Sequence, residues 1–499
     1  MYTRSWTLPY AVGGVGRTGF VAEHELWTEE QAAAAERVEA ALDQVDLVRF
    51  GFGDPHGLVR SKRLTVEAFR SVLRNGMDFS PGPFLFDTGH AVAVDFQHDP
   101  GVGVDELAGA GNFVLVPDPL TFQVLPGAGD GPRVAIVLGD EYLRDGTPHP
   151  LSSRNALRRV LARYAERQLT PVLGLEVEWY LTRRLPGVPG HAGNGFGLQG
   201  EAPRVEAVDP GYQFNGDLVY GAVSDVTDPL ALYLLGLGLP LRSMEHESGP
   251  GQVETTFNPM SALDTADAML LFRTLVKQYV ARSGHHASFM SLPRIDGFDP
   301  SGWHLNQSVV DASGRNVFAA EGLAAGLSAE GKAYAEGLLD RARDFCLMSV
   351  PTVNGYRRLG ADFSLSPTKI GWSFEDRGAM LRVVGAGKST HIENRVGEPC
   401  ANPYLNIAAQ LFAGFEGLTG GSAPGATAGA ETVPQTLGES IAAFEAGPRA
   451  QDLLGAPLKA TMAKLKRSEL DRYEAWCTAE RPAPGQVTDW EQREYFEFF

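Results

Sequence analysis

The sequence predicts an α+β fold in which a small, strand-rich part precedes a larger part of mixed helices and strands. Between residues 46 and 146, short apolar runs alternate with Pro, Gly and Asp, which is typical of a small mixed-sheet domain. Beyond residue 147, helical stretches alternate with strands that carry charged residues at every second position. A chain of 499 residues can bury a core large enough for two or three domains. We therefore expect an N-terminal extension with a helix over 1–45, a small domain over 46–146 and a large domain over 147–499.

Local signals predict the elements of the N-terminal part. Thr28 and Gln31 have the spacing of a capping box, so a helix should begin there and run to about Val45. The apolar runs that follow predict five short strands, at residues 48–52, 84–86, 91–96, 113–116 and 134–138.

Helical periodicity dominates the larger part. Ser152 or Ser153 should begin one helix, and two further apolar helices are expected over residues 265–281 and 402–415. The most apolar stretch, residues 230–241, is too short to span a bilayer and contains two glycines. We expect it to form a buried helix end and a turn.

Composition limits the partners and the compartment. The chain carries 43 Lys and Arg against 61 Asp and Glu, which gives a formal net charge of -18. Such a surface repels phosphate backbones and anionic headgroups, so neither nucleic acid nor a membrane is an expected partner. Cys346, Cys400 and Cys477 lie far apart in the sequence, as is typical of reduced thiols in a cytosolic protein. The first residues lack the apolar run of a signal peptide, and we expect a cytoplasmic protein.

The segment from Leu173 to Trp179 is a candidate strand with acidic groups on one face. Side chains alternate in a strand, so Glu176 and Glu178 point away from the apolar side chains of this segment. The apolar face must enter the core, which directs both carboxylates into a cavity or into solvent. Taken alone, the pattern fits a half-exposed strand with two solvated acids as well as it fits a functional site.

Further segments contribute groups of the same chemical type. Glu247 precedes a Gly-Pro-Gly turn, and Glu254 lies in the strand predicted after that turn. His304 and Glu393 lie in two other candidate strands. With the two acids above, these residues amount to five carboxylates and one imidazole, which suit hard cations such as Mg²⁺ or Mn²⁺. Clustered carboxylates repel one another without cations, so metal binding explains how such a cavity could be stable.

The order and spacing of these residues resemble the glutamine synthetase family over roughly residues 46–499. Each motif alone is weak, but so many motifs in the family's order are highly specific. The motifs are Asp54-x-x-Gly57-x-x-Arg60, Val116-Pro-Asp-Pro119, Glu176-Val-Glu178, Gly-Pro-Gly-Gln-x-Glu254, Asn354-Gly-Tyr-Arg-Arg358-Leu, Arg377 with Arg382, Glu393-x-Arg395…Ala401-Asn-Pro-Tyr-Leu405, and Thr488-Asp-Trp-Glu491. The resemblance implies a β-grasp-like N-terminal domain and a catalytic domain with a curved antiparallel sheet flanked by helices.

The resemblance also implies an active site for ATP with two or more divalent cations, Mg²⁺ or Mn²⁺. The six expected ligands form two sets. The set beside the acyl substrate would be Glu178, Glu247 and Glu254. The set at the ATP phosphates would be Glu176, His304 and Glu393.

Cationic groups and an acid complete the implied site. Arg358 and Arg395 would bind the carboxylates of glutamate. The groups around the nucleotide would be Arg377, Arg382, Lys388 and Ser308. Asp54 and Arg377 are the expected catalytic residues, and Asp54 would help to deprotonate the amine in the site of a neighbouring subunit. Family members assemble as stacked rings, so a homo-oligomer, a dodecamer by analogy, is expected.

The implied chemistry explains these residue types. A carboxylate is a poor acyl donor, so the γ-carboxylate of glutamate first attacks the γ-phosphate of ATP and becomes an acyl phosphate. Phosphoryl transfer needs alignment and charge neutralisation, which cations and several Arg and Lys side chains supply. The amine then attacks after losing a proton to a base.

The sequence departs from the family pattern where ammonium-using enzymes carry a Glu that closes the site. Ser364 and Leu365 are the two candidates for that position, and neither is acidic. This favours an organic amine as the nucleophile and a likeness to the γ-glutamyl-amine ligases, such as the glutamylpolyamine synthetase-like enzymes. Asp362 could restore the missing charge. Three smaller departures are Asn306 for a second His, His391 for an Arg, and Asp299 or Pro300 for an Asn.

Two alternatives remain open. The intact Asp54 favours an ordinary glutamine synthetase that uses ammonium. A non-catalytic ring protein with a structural or regulatory role is the other alternative, and the complete set of metal ligands argues against it.

Overall fold

The computed structural model describes residues 18–127, 131–187, 196–320, 326–359, 365–420 and 431–499. The chain divides into two compact units. Unit 1 comprises Met1–Phe52, Ser61–Ser80 and Asn112–His149, and unit 2 comprises Gly53–Arg60, Pro81–Gly111 and Pro150–Phe499. The domain boundaries expected near residues 46 and 147 stay predictions.

A six-stranded mixed sheet is the main element of the N-terminal part. Its strands are β1 (Leu47–Gly53), β2 (Val59–Thr65), β3 (Met77–Phe79), β4 (Phe113–Pro117), β5 (Gln123–Val124) and β6 (Val134–Tyr142). Strand order is β2-β1-β6-β4-β3, and β5 pairs with β6. Strands β1 and β6 are parallel, whereas β4 pairs antiparallel with β3 and β6. The helices of this part are α1 (Phe20–Glu23), α2 (Glu29–Ala41) and α3 (Val66–Asn75).

The capping box predicted at Thr28 and Gln31 is present. The Thr28 side chain accepts a hydrogen bond from the Gln31 N–H, and the Gln31 side chain accepts one from the Thr28 N–H. The helix ends at Ala41 and a 3₁₀ turn, Leu42–Gln44, completes the stretch that was predicted to be helical.

The strands predicted at residues 84–86 and 91–96 are wrong. Residues Gly82–Leu85 form the short helix α4, because proline in the first turn is preorganised for helix and gives up no needed N–H. After it, the Asp87 carboxylate accepts hydrogen bonds from the N–H groups of Gly89 and Ala91. Such local side-chain bonds favour a turn and compete with a strand ladder.

A ten-stranded, mainly antiparallel sheet forms the framework of unit 2. Its strands are β7 (Leu169–Arg184), β8 (Val205–Ala207), β9 (Leu241–His246), β10 (Gln252–Phe257), β11 (Met260–Ser261), β12 (His285–Ser288), β13 (Trp303–Asp311), β14 (Trp372–Phe374), β15 (Leu381–Val384) and β16 (His391–Asn394). Strand order is β14-β15-β16-β13-β7-β10-β9, and β8, β11 and β12 also pair with β7. The long strand β7 therefore connects the two halves of the sheet.

Helices flank this sheet. They are α5 (Ser153–Glu166), α6 (Asp217–Tyr220), α7 (Ser224–Gly236), α8 (Ala262–Ala281), α9 (Ala329–Asp340), α10 (Cys346–Ser349), α11 (Gly355–Arg358), α12 (Pro403–Leu418), α13 (Leu437–Ala446), α14 (Arg449–Leu454), α15 (Ala456–Glu480) and α16 (Asp489–Tyr495). The three long helices predicted here are present, capped by the side chains of Ser152, Ser261 and Asn402. No helix within the described residues is long and apolar enough to cross a membrane.

The core lies behind β7. Leu173, Leu175, Val177 and Trp179 are at most 1% exposed, which confirms the predicted apolar face. Helices α5 and α8 pack against this strand. Burying a side chain of this size contributes about 1.5–3 kcal/mol, so the register of β7 is fixed, and a slip of one residue would turn its acids into the core. The α+β class and the helix-flanked antiparallel sheet agree with the prediction.

Candidate active site

Strand register brings the predicted acids together on one face of the unit 2 sheet. On one side of β7, Glu176 lies directly opposite His304 of β13. On the other side, Glu178 lies directly opposite Glu254 of β10, and Glu254 in turn faces Glu245 of β9. Residues directly opposite in an antiparallel pair share a face, with Cβ atoms about 4.5–5.5 Å apart. The face of β7 opposite the core is therefore lined with ionisable groups.

The imidazole of His304 is held between two carboxylates. Its Nδ1 lies 2.8 Å from Glu176 Oε1 and 3.4 Å from Glu393 Oε1. Asn306 donates a weaker hydrogen bond to the other oxygen of Glu176, at 3.5 Å. Burial alone would raise the pKa of Glu176, but the hydrogen bond and charge of His304 and the charge of Arg395 lower it to about 2. Glu176 is therefore ionised and available as a cation ligand.

The second group of carboxylates, Glu178, Glu247 and Glu254, has too few cationic neighbours to balance its negative charge. Burial, followed by the charge of Glu178, raises the pKa of Glu247 to about 8. Burial, followed by the charges of Glu176 and Glu178, raises the pKa of Glu254 to about 10. Glu178 itself accepts a hydrogen bond of 2.8 Å from the Gly302 N–H. Without cations, the raised pKa values mean that protonation reduces the repulsion among these carboxylates, and bound divalent cations would reduce it as well.

The donor atoms fit a hard divalent cation. One ligand atom each of Glu176, Glu254 and His304 lies within 4.8 Å of the other two. Ligands on opposite sides of a cation at about 2.1–2.5 Å are separated by no more than about 5 Å. This trio takes members from both expected ligand sets, so the two sets adjoin each other. Oxygen-rich ligation of this kind suits Mg²⁺ or Mn²⁺ better than a thiolate-seeking metal.

Two arginines lie against the acidic cluster and line the same cavity. Arg358 is buried, and its guanidinium donates to the Arg395 carbonyl at 2.8 Å and lies 3.3 Å from His304 Nε2. Burial lowers the pKa of Arg358 to about 10. Arg395 donates to Glu393 at 2.5 Å and to the Arg377 carbonyl at 3.0 Å. These contacts fix the arginines in place before any substrate binds.

One cavity of about 680 Å³ lies between these groups. Its described lining comprises Glu176, Glu178, Phe214, Glu247, Ser248, Gln252, Glu254, Asp299, Pro300, His304, Arg358, Leu365, Ser366, Arg377 and Arg395. A volume of this size accommodates a nucleotide or a drug-sized molecule. The cavity lining thus combines carboxylates, an imidazole and three guanidinium groups.

The other expected nucleotide groups lie outside this lining. Arg382 donates to Glu393 at 3.2 Å and to Glu375 at 2.5 Å, so it borders the site through Glu393. Lys388 is exposed in a 3₁₀ turn, and Ser308 is half-buried on β13. Their assignment to the nucleotide stays a prediction.

Asp54 is buried in a turn apart from the cavity lining. Its carboxylate accepts hydrogen bonds from the Arg60 guanidinium at 2.7 Å and from the N–H groups of His56 and Leu58 at 2.9 Å. A role in the site of a neighbouring subunit stays a prediction. Ser364 and Asp362 lie outside the described residues, whereas Leu365 is described and lines the cavity.

Glu245 and Phe214 were not among the predicted site residues. Glu245 could have been found, because alternation along β9 puts it on the face that continues to Glu247. Phe214 carries no such signal, since it lies in a loop between β8 and α6. Only the folded chain brings it to the cavity.

Comparison with known proteins identifies the family of this chain. Residues 150–493 match the model of the glutamine synthetase catalytic domain. Gamma-glutamylanilide synthase of an Acinetobacter species is 37% identical and covers 96% of this chain and 98% of the relative. Gamma-glutamylethanolamide synthetase GlnA4 of Streptomyces coelicolor is 30% identical, over 92% of this chain and 94% of the relative. Glutamine synthetase of Halobacterium salinarum is 29% identical, over 95% and 98%.

The fold of this chain is also similar to that of a solved structure. The GmaS–ADP complex superposes with a TM-score of 0.71 at 27% identity, covering 91% of this chain and 98% of that one. Enzymes of the matched family use ATP and divalent metal ions. The chain therefore belongs to the glutamine synthetase family, as a carbon–nitrogen ligase.

Proposed function

We propose that this chain joins the γ-carboxylate of glutamate to an organic amine, using ATP and passing through a γ-glutamyl phosphate. The observation that carries this proposal is the cavity between β7 and the two arginines. It combines a cluster of carboxylates and imidazole with three guanidinium-bearing residues. The proposed reaction needs both kinds of group in one cavity. Carboxylates and the imidazole would bind the divalent cations, and guanidinium groups would bind a dicarboxylic amino acid and a polyphosphate.

The acidic wall is proposed to hold Mg²⁺ or Mn²⁺. Glu178, Glu247 and Glu254 would hold the cation beside the acyl group. Glu176, His304 and Glu393 would hold the one at the phosphates. Cations there would neutralise charge that develops on the phosphoryl oxygens.

The arginines are proposed to orient the anions. Arg358 and Arg395 would bind the carboxylates of glutamate in forked contacts. Arg377, which lines the cavity and is exposed, would meet the transferring phosphoryl group. Arg382, Lys388 and Ser308 would contact the more distant parts of the nucleotide. The ADP bound in the GmaS complex supports a nucleotide in a fold of this kind.

The lining of the cavity and the names of two relatives favour an organic amine over ammonium as the nucleophile. Leu365 lines the cavity, and it is one of the two candidates, with Ser364, for the position where ammonium-using enzymes carry a Glu. The anilide and ethanolamide synthetases among the relatives act on organic amines by name. An ordinary glutamine synthetase is the second candidate, supported by Asp54 and by the Halobacterium relative. A homo-oligomer in which Asp54 acts across the subunit boundary belongs to the same proposal.

A product screen tests the proposal. The purified protein would be incubated with ATP, Mg²⁺, glutamate and one amine at a time: ammonium, an alkylamine, an aminoalcohol, a polyamine or an aromatic amine. Phosphate release and the mass of the amide would both be measured. The proposal requires a γ-glutamyl amide of an organic amine with stoichiometric phosphate. Glutamine as the main product would favour the second candidate, and phosphate release with no amide from any amine would contradict both.

A further inference from the structure

The loop that contains Phe214 is hydrogen-bonded to the β9–β10 turn, which contains Glu247. The Tyr212 N–H donates to the Ser248 carbonyl at 2.9 Å, and the Asn215 N–H donates to the His246 carbonyl at 3.1 Å. The Asp209 carboxylate lies 3.0 Å from His246 Nε2, and both of these side chains are 1% exposed. Two of these contacts, at Asp209 and Tyr212, precede Phe214 in the loop, and the third, at Asn215, follows it.

Backbone conformation in this loop is specific as well. Gly211, Tyr212 and Asn215 have φ values of 66°, 68° and 52°. Non-glycine residues adopt this left-handed region rarely, and the conformation persists only where surrounding bonds enforce it. At Gly211, a Cβ would lie 2.8 Å from the Pro250 nitrogen, which leaves no room for a side chain. The position of Phe214 is therefore imposed by the fold.

Two large apolar side chains face the cavity with much of their surface uncovered. Phe214 is 64% exposed and Leu365 is 58% exposed, and both line the cavity among the described residues. Side chains of this kind normally pack against other apolar groups. Here they stand in a cavity otherwise lined mainly by polar and charged groups. An apolar part of a ligand would cover them.

We infer that Phe214 and Leu365 form the apolar wall of the amine subsite and make an aromatic amine the preferred nucleophile. This inference rests on the proposed function. A flat ring packs on the Phe214 ring and gains an interaction beyond area burial, which an alkyl chain gains only in part. Ammonium gains nothing from either side chain.

The electronic state of an aromatic amine also suits the site. Its nitrogen is unprotonated at neutral pH, so binding needs no carboxylate to attract a cation. The nitrogen lone pair attacks the acyl carbon of γ-glutamyl phosphate. A C–N bond forms, the C–O bond to phosphate breaks, phosphate leaves, and the nitrogen loses its proton to the proposed base, Asp54. No oxidant or reductant is required, and the absence of a Glu at Ser364 or Leu365 carries no penalty for this nucleophile.

The test compares amines in variants of the wall. The ratio of kcat/KM for aniline to that for ammonium would be measured in the wild type and in Phe214→Ala and Leu365→Ala, with ATP, Mg²⁺ and glutamate saturating. We expect the wild type to prefer aniline, and each variant to lose roughly tenfold in this ratio through a higher KM for aniline. The KM values for glutamate and ATP should stay within about twofold.

Leu218→Ala is the matched control, because Leu218 is 92% exposed, follows the same loop and does not line the cavity. It should leave the ratio unchanged. A wild type that uses aniline with a ratio unmoved in both wall variants would overturn the inference and keep the proposed function. A wild type that prefers ethanolamine or an alkylamine would overturn the aromatic preference. A wild type that forms no organic amide would overturn the proposed function itself.

Discussion

Glu178 and Glu254 lie directly opposite each other on the neighbouring strands β7 and β10. Like charges in that position destabilise a sheet. Burial, followed by the charges of Glu176 and Glu178, raises the pKa of Glu254 to about 10, so the metal-free protein carries a proton there at neutral pH. Protonation relieves the repulsion between the two carboxylates, and the cations proposed above would relieve it in the same place.

Cation binding should release protons. Glu247 and Glu254, with pKa values of about 8 and about 10, are mostly protonated at pH 7, and a cation needs them ionised. We expect release of about one to two protons per site at pH 7, and apparent Mg²⁺ affinity that rises as pH rises from 6 to 9. Titration calorimetry in buffers of different ionisation enthalpy measures this number. Heat that does not depend on the buffer would contradict the assignment.

The same pKa shifts predict how stability depends on pH. The raised folded-state pKa values mean that the folded protein binds more protons than the unfolded chain above about pH 4.5. The stabilisation from Glu247 and Glu254 is complete below that pH and is lost as pH rises through about 8 to 10. Thermal unfolding of the metal-free protein should therefore move to lower temperature between pH 6 and pH 9. Added Mg²⁺ should reduce this decrease, and an equal decrease with and without Mg²⁺ would count against cation binding at these acids.

Replacing a ligand acid should abolish turnover and spare the fold. Glu178→Gln and Glu254→Gln remove a negative charge but keep the size, and glutamine resembles the protonated acid. We expect kcat to fall by about a hundredfold or more while the melting temperature changes by only a few degrees. Glu206→Gln is the control, because Glu206 lies on β8, which also pairs with β7, but does not line the cavity. Near-normal Mg²⁺-dependent activity in Glu178→Gln would exclude this cluster as the metal site.

Arg358→Lys should affect glutamate far more than ATP. Lysine cannot reproduce the forked contact that a guanidinium makes with a carboxylate. We expect the KM for glutamate to rise by about tenfold or more, with the KM for ATP nearly unchanged. Arg357→Lys is the adjacent control, since Arg357 binds Glu491 and Tyr473 and is not in the cavity lining. A change confined to the KM for ATP would show that Arg358 serves the nucleotide.

Two inactive variants should complement each other if Asp54 acts in a neighbouring subunit. In a mixed oligomer of Asp54→Asn and Glu178→Gln chains, some sites receive an intact Asp54 from one chain and an intact Glu178 from the next. Random mixing of equal amounts makes about a quarter of the sites complete. Co-expression followed by an activity assay checks this. Mixed oligomers as inactive as either parent would place both residues in the same chain's site.

Local patterns in the sequence predicted much of the candidate site, and long-range pairing explains what they missed. Alternation separated Glu176 and Glu178 from the apolar face of β7, as the structure confirms. His304 lies opposite Glu176 because of the register between β13 and β7. These two residues are more than a hundred positions apart in the sequence, so no local pattern reveals their pairing. Phe214 was missed for the same reason, because its position depends on bonds to the β9–β10 turn.

The wrong strands at residues 84–86 and 91–96 have a different origin. A short apolar run is compatible with a strand and with a buried helical turn. Prolines at the start of α4 and the side-chain bonds of Asp87 decide between them. Several residues of the family motifs, such as Glu176, Glu254 and Arg358, line one cavity, and their roles stay predictions. The motifs are less informative where the chain departs from them, as at Ser364 or Leu365.

The choice of nucleophile is the central claim, and one measurement tests it most directly. The value of kcat/KM for ammonium would be compared with that for organic amines under identical ATP, Mg²⁺ and glutamate concentrations. Burying each methylene of an organic substituent contributes about 0.8 kcal/mol, so two or three carbons favour the organic amine by roughly one to two orders of magnitude. We predict a preference of that size for at least one organic amine. A higher kcat/KM for ammonium than for every organic amine would contradict the account and identify an ordinary glutamine synthetase.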